Sequence, residues 1–258
     1  MENKHIVSVD SALCIRCGLC VKDCPHGYFK MTAHGAEVIA QDCNKCGHCV
    51  AVCPKNAVSM SGFDFPPEEL PQDMTANPDA LTALIKSGRS MRRFTDKDVS
   101  LETISHIIEA GRYTPTAENK QGVSYAVLRE NIAEYESTAL LKLRRMMPLI
   151  RLFAPKVKHL EIGDDFFFKG APVVVVIKSP DMVDGALAAS AMEIAARTHG
   201  LGVLYSGFFT RIAGMTGTLK RKLGVARREK IVTTLVLGYP AVTYQRIPQR
   251  EKAKVIFD

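Results

Sequence analysis

The chain has no cysteine after Cys53, although eight cysteines lie before that point. Chemistry in residues 54–258 must therefore proceed without thiols. Long apolar runs are also missing, since residues 173–177 and the Ala-rich stretch 186–196 are too short or too interrupted to span a bilayer. The first ten residues lack the apolar core of a secretory signal, which argues against an oxidising compartment and a disulfide framework. We therefore expect a cytoplasmic globular protein that does not associate with membranes.

The eight cysteines form two copies of the pattern C-x2-C-x2-C-x3-C-P. The first copy comprises Cys14, Cys17, Cys20 and Cys24, and the second comprises Cys43, Cys46, Cys49 and Cys53. This spacing is typical of bacterial ferredoxins with two [4Fe–4S] clusters, in which the fourth cysteine of each run ligates the other cluster. The pattern therefore predicts one cluster on Cys14, Cys17, Cys20 and Cys53, and another on Cys43, Cys46, Cys49 and Cys24.

The repeat extends beyond the cysteines, because Gly18 corresponds to Gly47 at the same 29-residue offset. Glycines at these positions let the backbone pass close to a cluster. A structural zinc site would use two C-x-x-C pairs, and neither the third cysteine nor the final C-P is expected of one. His26, His34 and His48 lie nearby. We expect them at the surface or beside the ligands, because four cysteines per cluster are already present.

The composition divides the chain into three parts. Residues 1–60 are predicted to form the ferredoxin domain. Residues 61–78 contain four of the thirteen prolines and almost no periodicity, which indicates a semi-rigid linker. Residues 79–258 then form a second, larger domain.

The second domain alternates helix and strand signals, which predicts an α+β fold. Asn77-Pro78 begins a helix through about Ser87, and Ser100 begins another that ends near Gly111. Further predicted elements are strands at Val123–Arg129, Val173–Ile177 and Ile231–Leu237 and a helix at Asp184–His199. The small side chains of that last helix predict close packing against another helix, in this chain or in a partner subunit.

Four segments of this domain resemble the FMN-dependent nitroreductase family. Gly88–Phe94 is similar to the family's R-R-S-x-R-x-F, with Gly88 in place of the first arginine. Pro115–Gln121 is similar to P-S-x-x-N-x-Q. The third segment runs from Gly200-Leu201-Gly202 through Ser206-Gly207-Phe208, and the fourth is Gly238-Tyr239-Pro240 followed by Arg246–Arg250. The resemblance covers about residues 78–258.

The resemblance implies a nitroreductase-like domain with a central mixed sheet flanked by helices. It also implies a homodimer with FMN at the interface, onto which Lys254–Phe257 reaches as a strand of the other subunit. The residues that it assigns to the flavin are Arg89, Ser90, Arg92, Pro115, Thr116, Asn119, Ser206, Gly207 and Arg250. No catalytic side chain is expected, because the flavin supplies the chemistry.

The function implied by the two parts is electron transfer from a low-potential donor through the clusters to FMN. Reduced ferredoxin or NAD(P)H is the expected donor, and a small planar nitroaromatic, quinone or enone is the expected acceptor. Gly200-x-Gly202 lacks the third glycine of a dinucleotide fingerprint, but the family does not use that fold for nicotinamide. The segment from about Asn131 to Lys169 is predicted to be a lid over the flavin, with ordinary helix packing in the core as the alternative.

Two other functions stay open from the sequence. In one, the FMN serves only to relay electrons between protein partners. In the other, the domain is a flavin-independent binding protein on a nitroreductase scaffold. A basic group comprises Lys220, Arg221, Lys222, Arg227, Arg228 and Lys230. It suits a solvated face or an acidic redox partner, and nucleic acid is not expected because no nucleic-acid motif accompanies it.

Overall fold

The computed structural model describes residues 5–153 and 161–258. The chain folds into two units, each of which packs mainly within itself. The first contains the residues up to Thr75 together with Ala117–Lys120, and the second contains Ala76–Thr116 and Gln121–Asp258. Of residues 61–78, predicted as the linker, 61–77 contain no helix or strand, and Pro78 is the first residue of a helix.

The first unit is built from short elements around the cysteines. They are β1 (Val7–Val9), α1 (Leu19–Asp23), β2 (Phe29–Thr32), β3 (Gly35–Val38), α2 (His48–Ala51) and β4 (Val58–Met60). β1 pairs antiparallel with β4, and β2 pairs antiparallel with β3. Val7, Phe29 and Val58 pack with the buried Cys20 and Cys49 into a small core. The cysteines therefore form part of the interior of the unit.

The second unit contains six helices and four strands among its described residues. They are α3 (Pro78–Ser87), α4 (Leu101–Arg112), β5 (Ser124–Leu128), α5 (Ile132–Phe153), β6 (Val173–Ser179), α6 (Met182–Thr198), β7 (Gly202–Tyr205), α7 (Gly207–Met215), α8 (Gly217–Lys222) and β8 (Lys230–Gly238). The strand order is β5-β6-β8-β7.

All three pairings between the strands of this sheet are antiparallel, so the sheet that the resemblance implied to be mixed is mixed only through an isolated bridge. Among the described residues, the one parallel pairing is an isolated bridge between Ser90 and Val203. The segment after α3 thus meets β7 over a single residue pair.

Helices cover both faces of the sheet, as predicted. All seven residues of β6 are buried, and alternate ones point to opposite faces. Val174 and Val176 pack in a core with residues of α5, α7 and α8. Val173, Val175 and Ile177 pack in a second core with residues of α4 and α6. A strand that is buried on both sides has a continuous run of apolar residues in its sequence. This run is why β6 could be predicted.

The predicted helix starts are confirmed at two caps. The Asn77 side chain accepts hydrogen bonds from the backbone N–H groups of Asp79 and Ala80, and the Ser100 hydroxyl accepts one from Thr103. The helix predicted from Asp184 begins earlier, at Met182, because Asp181 caps it. Its small residues pack against α4 of the same chain.

The segment predicted as a lid contains α5, a helix whose bounds the sequence did not give. Leu140, Leu143 and Met147 of α5 are buried in the core, and so are Phe167 and Phe168. Core packing, the alternative interpretation, therefore describes these residues. Part of the predicted lid, residues 154–160, lies outside the described residues. Among the helices that the structure describes, none is both long and apolar enough to cross a membrane.

Candidate iron–sulfur and flavin sites

The thiols of the first unit surround two cavities. Around one, which encloses about 350 Å³ and opens partly to solvent, lie Cys14, Cys17, Cys20 and Cys53. Around the other, of about 380 Å³, lie Cys24, Cys43, Cys46 and Cys49. In each set the last cysteine of one run joins the first three cysteines of the other run. The chain thus presents two sets of four sulfur ligands, grouped as the C-P spacing predicts.

The local backbone explains how three cysteines of a run reach one cavity. Gly18 and Gly47 precede the two short helices and have φ of 75° and 76°, a conformation that glycine adopts without a steric penalty. The left-handed turn places Cys20 and Cys49 in the first turn of α1 and α2, where both are buried. The internal repeat of the sequence is therefore also a repeat of conformation.

Backbone N–H groups point at the final cysteine of each run. Tyr28 donates to Cys24 Sγ at 3.4 Å, and Ala57 donates to Cys53 Sγ at 3.2 Å. The same donors can hydrogen-bond a sulfur that is bound to iron. Burial raises the pKa of the Cys49 thiol to about 11, so in this site the metal must displace the proton. The four-sulfur sets therefore suit a cationic iron cluster.

A single metal ion fits this unit less well than a cluster. Within residues 5–153 and 161–258, no three His, Cys, Asp or Glu side chains converge closely enough to hold one ion. The sulfurs instead line the walls of two partly open cavities, four to each.

One histidine that was not singled out from the sequence contacts a ligand directly. His5 Nε2 lies 2.9 Å from Cys43 Sγ. Burial and, to a smaller extent, the positive charge of Lys45 lower the pKa of His5. No sequence signal could have identified this contact, because His5 is 38 residues from Cys43. Of the three histidines that were considered, His26 and His48 line the cavity of about 380 Å³, and His34 is exposed.

The predicted flavin-phosphate residues lie together in the second unit, directly after α3. The Met91 backbone N–H donates to the Val203 carbonyl at 2.9 Å, which fixes the segment against β7. Arg89 is half-buried, and its Nε is buried without a hydrogen-bond partner. Ser90 and Arg92 are exposed. An unpaired buried guanidinium nitrogen is costly, so this arrangement suits an anionic ligand beside Arg89.

The residues predicted on the P-S-x-x-N-x-Q loop do not all stay together. Pro115 and Thr116 belong to the second unit, where Thr116 Oγ1 accepts from the Gln121 backbone N–H at 2.9 Å. Asn119 instead belongs to the first unit. Its amide nitrogen donates to the carbonyls of Asn44 at 3.3 Å and Lys45 at 2.8 Å. In this structure the Asn119 amide therefore bonds to the loop between Cys43 and Cys46, and its flavin contact stays a prediction.

Ser206 and Gly207 lie where β7 ends and α7 begins. Ser206 is buried, and its hydroxyl donates to the Phe167 carbonyl at 2.9 Å, so this side chain ties two segments of the fold together. Gly207 is exposed, and nothing lies within 4 Å of the place that a Cβ would occupy. The open space beside Gly207 lets a ligand approach the backbone. Arg250 is exposed in residues 241–258, a segment without helix or strand.

Comparisons with known proteins follow the same division. A model described as a 4Fe-4S dicluster domain matches residues 6–54. The nitroreductase family model matches residues 85–239, which is more than half of the chain. The chain belongs to the nitroreductase family. It is an oxidoreductase of that family with a 4Fe–4S ferredoxin-like domain, and its fold class is as predicted.

Solved nitroreductases share the fold at low sequence identity. A nitroreductase with bound FMN from Bacteroides fragilis is 18% identical, with a TM-score of 0.57 over 70% of this chain and 100% of that one. One with bound FMN from Desulfitobacterium hafniense is 20% identical, with a TM-score of 0.57 over 68% and 97%. An FMN-dependent nitroreductase from Clostridium difficile is 18% identical, with a TM-score of 0.54 over 69% and 100%. A search of curated sequences gives no significant match.

The glycine that replaces the first arginine of the nitroreductase motif has a steric reason in this chain. A Cβ at Gly88 would collide with the guanidinium of Arg197 from α6. Arg197 pairs with Glu193 and donates to the Leu84 carbonyl of α3 at 3.5 Å. A guanidinium therefore still lies beside this position, although it comes from another helix.

A buried glutamate holds the aromatic segment of the nitroreductase domain. The Glu136 carboxylate of α5 accepts the backbone N–H groups of Phe167 at 2.7 Å and Phe168 at 3.1 Å. Burial raises the pKa of Glu136 from 4.5 to about 7, and the two N–H donors oppose that shift. The segment is also held through the bond from Ser206 to Phe167.

The charge of Glu136 should make stability depend on pH. Because its folded pKa is above the unfolded value, the native state retains a proton that the unfolded chain loses. The stabilisation is full below pH 4.5 and is lost as the pH rises through about 7. We expect on the order of 3 kcal/mol of unfolding free energy to be lost across this range, and Glu136→Gln should abolish that dependence. Urea unfolding followed by circular dichroism at a series of pH values measures it. The exposed Glu130→Gln is the control, and parallel curves for the parent and Glu136→Gln would contradict the prediction.

Proposed function

We propose that this protein is an iron–sulfur flavoprotein that passes electrons from a low-potential donor through two [4Fe–4S] clusters to FMN. The FMN then reduces a small, planar acceptor such as a nitroaromatic, quinone or enone. The observation that carries the proposal is the pair of cavities, each lined by four thiols, in a chain that belongs to the nitroreductase family. Cavities lined by four thiols suit iron–sulfur clusters, and such clusters can carry single electrons to the site of an oxidoreductase.

Both sets of cysteines fit the proposed clusters. Each set offers four sulfurs around a cavity, and each contains one thiol, Cys24 or Cys53, that already accepts a backbone N–H. When bound, the clusters carry single electrons, and FMN can collect two of them and deliver them to an acceptor. We propose that Asn119 holds the loop between Cys43 and Cys46 in place through its bonds to Asn44 and Lys45.

The residues after α3 fit the phosphate of FMN. Arg89 provides a buried, unpaired guanidinium nitrogen, and Ser90 and Arg92 add exposed donors beside it. We propose that Pro115 and Thr116 border the ring, that the backbone at Gly207 donates to it, and that Arg250 reaches the phosphate. Support comes from the FMN in the solved Bacteroides and Desulfitobacterium proteins of the same fold.

We further propose a cytoplasmic homodimer with FMN at the subunit interface. The last residues support a partner surface, since Ile256 and Phe257 are 95% and 91% exposed in the single chain. A side chain of this size that stays in water gains free energy when a second subunit covers it. The external donor in this proposal is reduced ferredoxin or NAD(P)H.

A second candidate is an electron-transfer module that relays electrons to another protein through FMN. Exposed basic residues near α8 favour it, because a positive surface attracts an acidic redox partner. They include Lys220, Arg221, Arg227 and Arg228. The first candidate turns over a small-molecule acceptor, and the relay module does not.

Anaerobic turnover with reduced ferredoxin as the donor tests the proposal. We expect the protein with its cofactors to reduce members of a nitroaromatic, quinone and enone panel. A variant that carries Cys17→Ala and Cys46→Ala should lose this activity while it retains FMN. A second assay uses NAD(P)H as the donor. If NAD(P)H reduces the flavin directly and not through the clusters, the double variant should keep its activity with this donor. Flavin that becomes reduced without turnover of any panel member would favour the relay. Full activity of the double variant with ferredoxin would overturn the proposed path.

A further inference from the structure

Hydrogen bonds of the next two residues, Ile6 and Val7, hold His5 in place in the first unit. The Ile6 backbone N–H donates to Ser61 Oγ at 2.8 Å, and the Ser61 N–H donates to the Ile6 carbonyl at 2.9 Å. The Gln41 amide accepts from the Val7 N–H at 2.9 Å and donates to the Val7 carbonyl at 3.0 Å. Gln41 lies two residues before Cys43, so β1 and the start of the second cysteine run are tied together.

These bonds bring the imidazole of His5 against a sulfur. The residue is 9% exposed, and its Nε2 lies 2.9 Å from Cys43 Sγ. A cysteine bound to iron is a thiolate and has no hydrogen to donate. The hydrogen in this contact must therefore sit on Nε2, and His5 donates to the ligand.

Among the described residues, the other cysteine set lacks such a side-chain donor, although backbone N–H groups of Ala36 and Arg16 donate to the Cys14 sulfur. The residue equivalent to His5 in the repeat is His34, which is exposed. Beside Cys14 Sγ lies Gly35, whose Cβ would come within 3.1 Å of the sulfur. Among the residues that the structure describes, His5 is the one side chain outside the eight cysteines with a hydrogen bond to a cysteine sulfur. The two sets are therefore inequivalent, although their sequences repeat.

We propose that His5 raises the reduction potential of the cluster held by Cys24, Cys43, Cys46 and Cys49 and leaves the other cluster unaffected. This inference rests on the proposed function. A reduced cluster carries one more negative charge, so a hydrogen bond to its thiolate stabilises the reduced state more than the oxidised one. His5 is thus a positioning and tuning residue that acts through Cys43, and the pair of clusters has a built-in difference.

Potentiometric titration followed by electron paramagnetic resonance tests this in the full chain with its clusters. His5→Phe keeps a planar ring without a donor. At a fixed potential, it should lower the ratio of reduced to oxidised protein about tenfold for one cluster, which is about 59 mV for a one-electron couple. His5→Gln retains an N–H donor and should restore part of the shift. His34→Phe is the control and should shift neither cluster.

Iron and acid-labile sulfide content is measured first, because it separates two kinds of failure. A parent protein without both clusters overturns the proposed function itself. If both clusters are intact in His5→Phe, three results overturn the role of His5 but not the proposed function. They are unchanged reduction potentials, an upward shift of a potential, and equal shifts of both potentials. If His5→Phe loses iron, His5→Met repeats the comparison with a flexible apolar side chain. Loss of iron in both apolar variants would show that His5 is needed for cluster assembly and would overturn the tuning role.

Discussion

Replacing Cys24 with alanine is expected to remove the cluster that Cys43, Cys46 and Cys49 hold, although Cys24 belongs to the other cysteine run. The reason is geometric, because Cys24 lines the same cavity as those three residues. A [4Fe–4S] cluster needs four ligands, so the iron content should fall by about half. Cys53→Ala should remove the other cluster, since Cys53 lines the cavity of Cys14, Cys17 and Cys20.

Double variants distinguish this crossed ligation from ligation within each run. Cys24→Ala combined with Cys49→Ala should lose no more iron than either single change, because both residues line one cavity. Cys24→Ala combined with Cys20→Ala should lose nearly all iron, because Cys20 lines the other cavity. Iron and acid-labile sulfide assays after anaerobic reconstitution measure the outcome. The reverse pattern would show that each run holds its own cluster and that the crossed arrangement is wrong.

Replacing Arg89 with alanine should weaken FMN binding about tenfold to a hundredfold. A charge-assisted bond to a phosphate contributes about 1.5–3 kcal/mol, and each 1.4 kcal/mol is a factor of ten in Kd. The Nε of Arg89 is buried without a partner in the protein, so the bond to an anion would not replace an existing one. Titration of flavin-free protein with FMN, followed by quenching of flavin fluorescence, measures the change.

The chain offers a matched control for Arg89. Arg93 lies four residues away and is exposed, so Arg93→Ala removes the same charge without a buried contact. This variant should bind FMN nearly as the parent does, apart from a small and salt-dependent effect. Arg89→Lys retains the charge but not the planar fork and should bind with intermediate affinity. Equal losses for Arg89→Ala and Arg93→Ala would show only a general effect of surface charge.

Helix caps and apolar runs predicted several elements, because each of these features depends only on residues that are close together in the chain. The caps at Asn77 and Ser100 satisfy backbone groups two or three positions away, and both are found as predicted. The buried strand β6 was visible as an apolar run. α5 falls in the segment predicted as a lid, and helix packing in the core, the alternative, describes it. The helix presents some of them to the core and leaves others, such as Leu149 and Leu152, exposed.

Long-range contacts decide the hydrogen-bond partners of two predicted site residues, Asn119 and Ser206. Asn119 has the sequence context of a flavin residue, yet its amide bonds to carbonyls about 75 residues away in the chain. The Ser206 hydroxyl is likewise taken by Phe167. Both cases have the same cause, because the sequence names a polar group but its hydrogen-bond partner depends on which distant segment packs against it.

The sequence by itself indicated the family through the resemblance of four segments, the α+β class through its periodicity, and the grouping of the cysteines through the C-P spacing, because all of these are local properties of the chain. The tertiary structure places the cysteines in that grouping, with Cys24 at the cavity of Cys43 and Cys53 at the cavity of Cys14. It also broke the equivalence of the repeat. A hydrogen bond from His5 to Cys43 depends on the pairing of β1 with β4 and on the Gln41 bonds, and these join segments that are far apart in the chain.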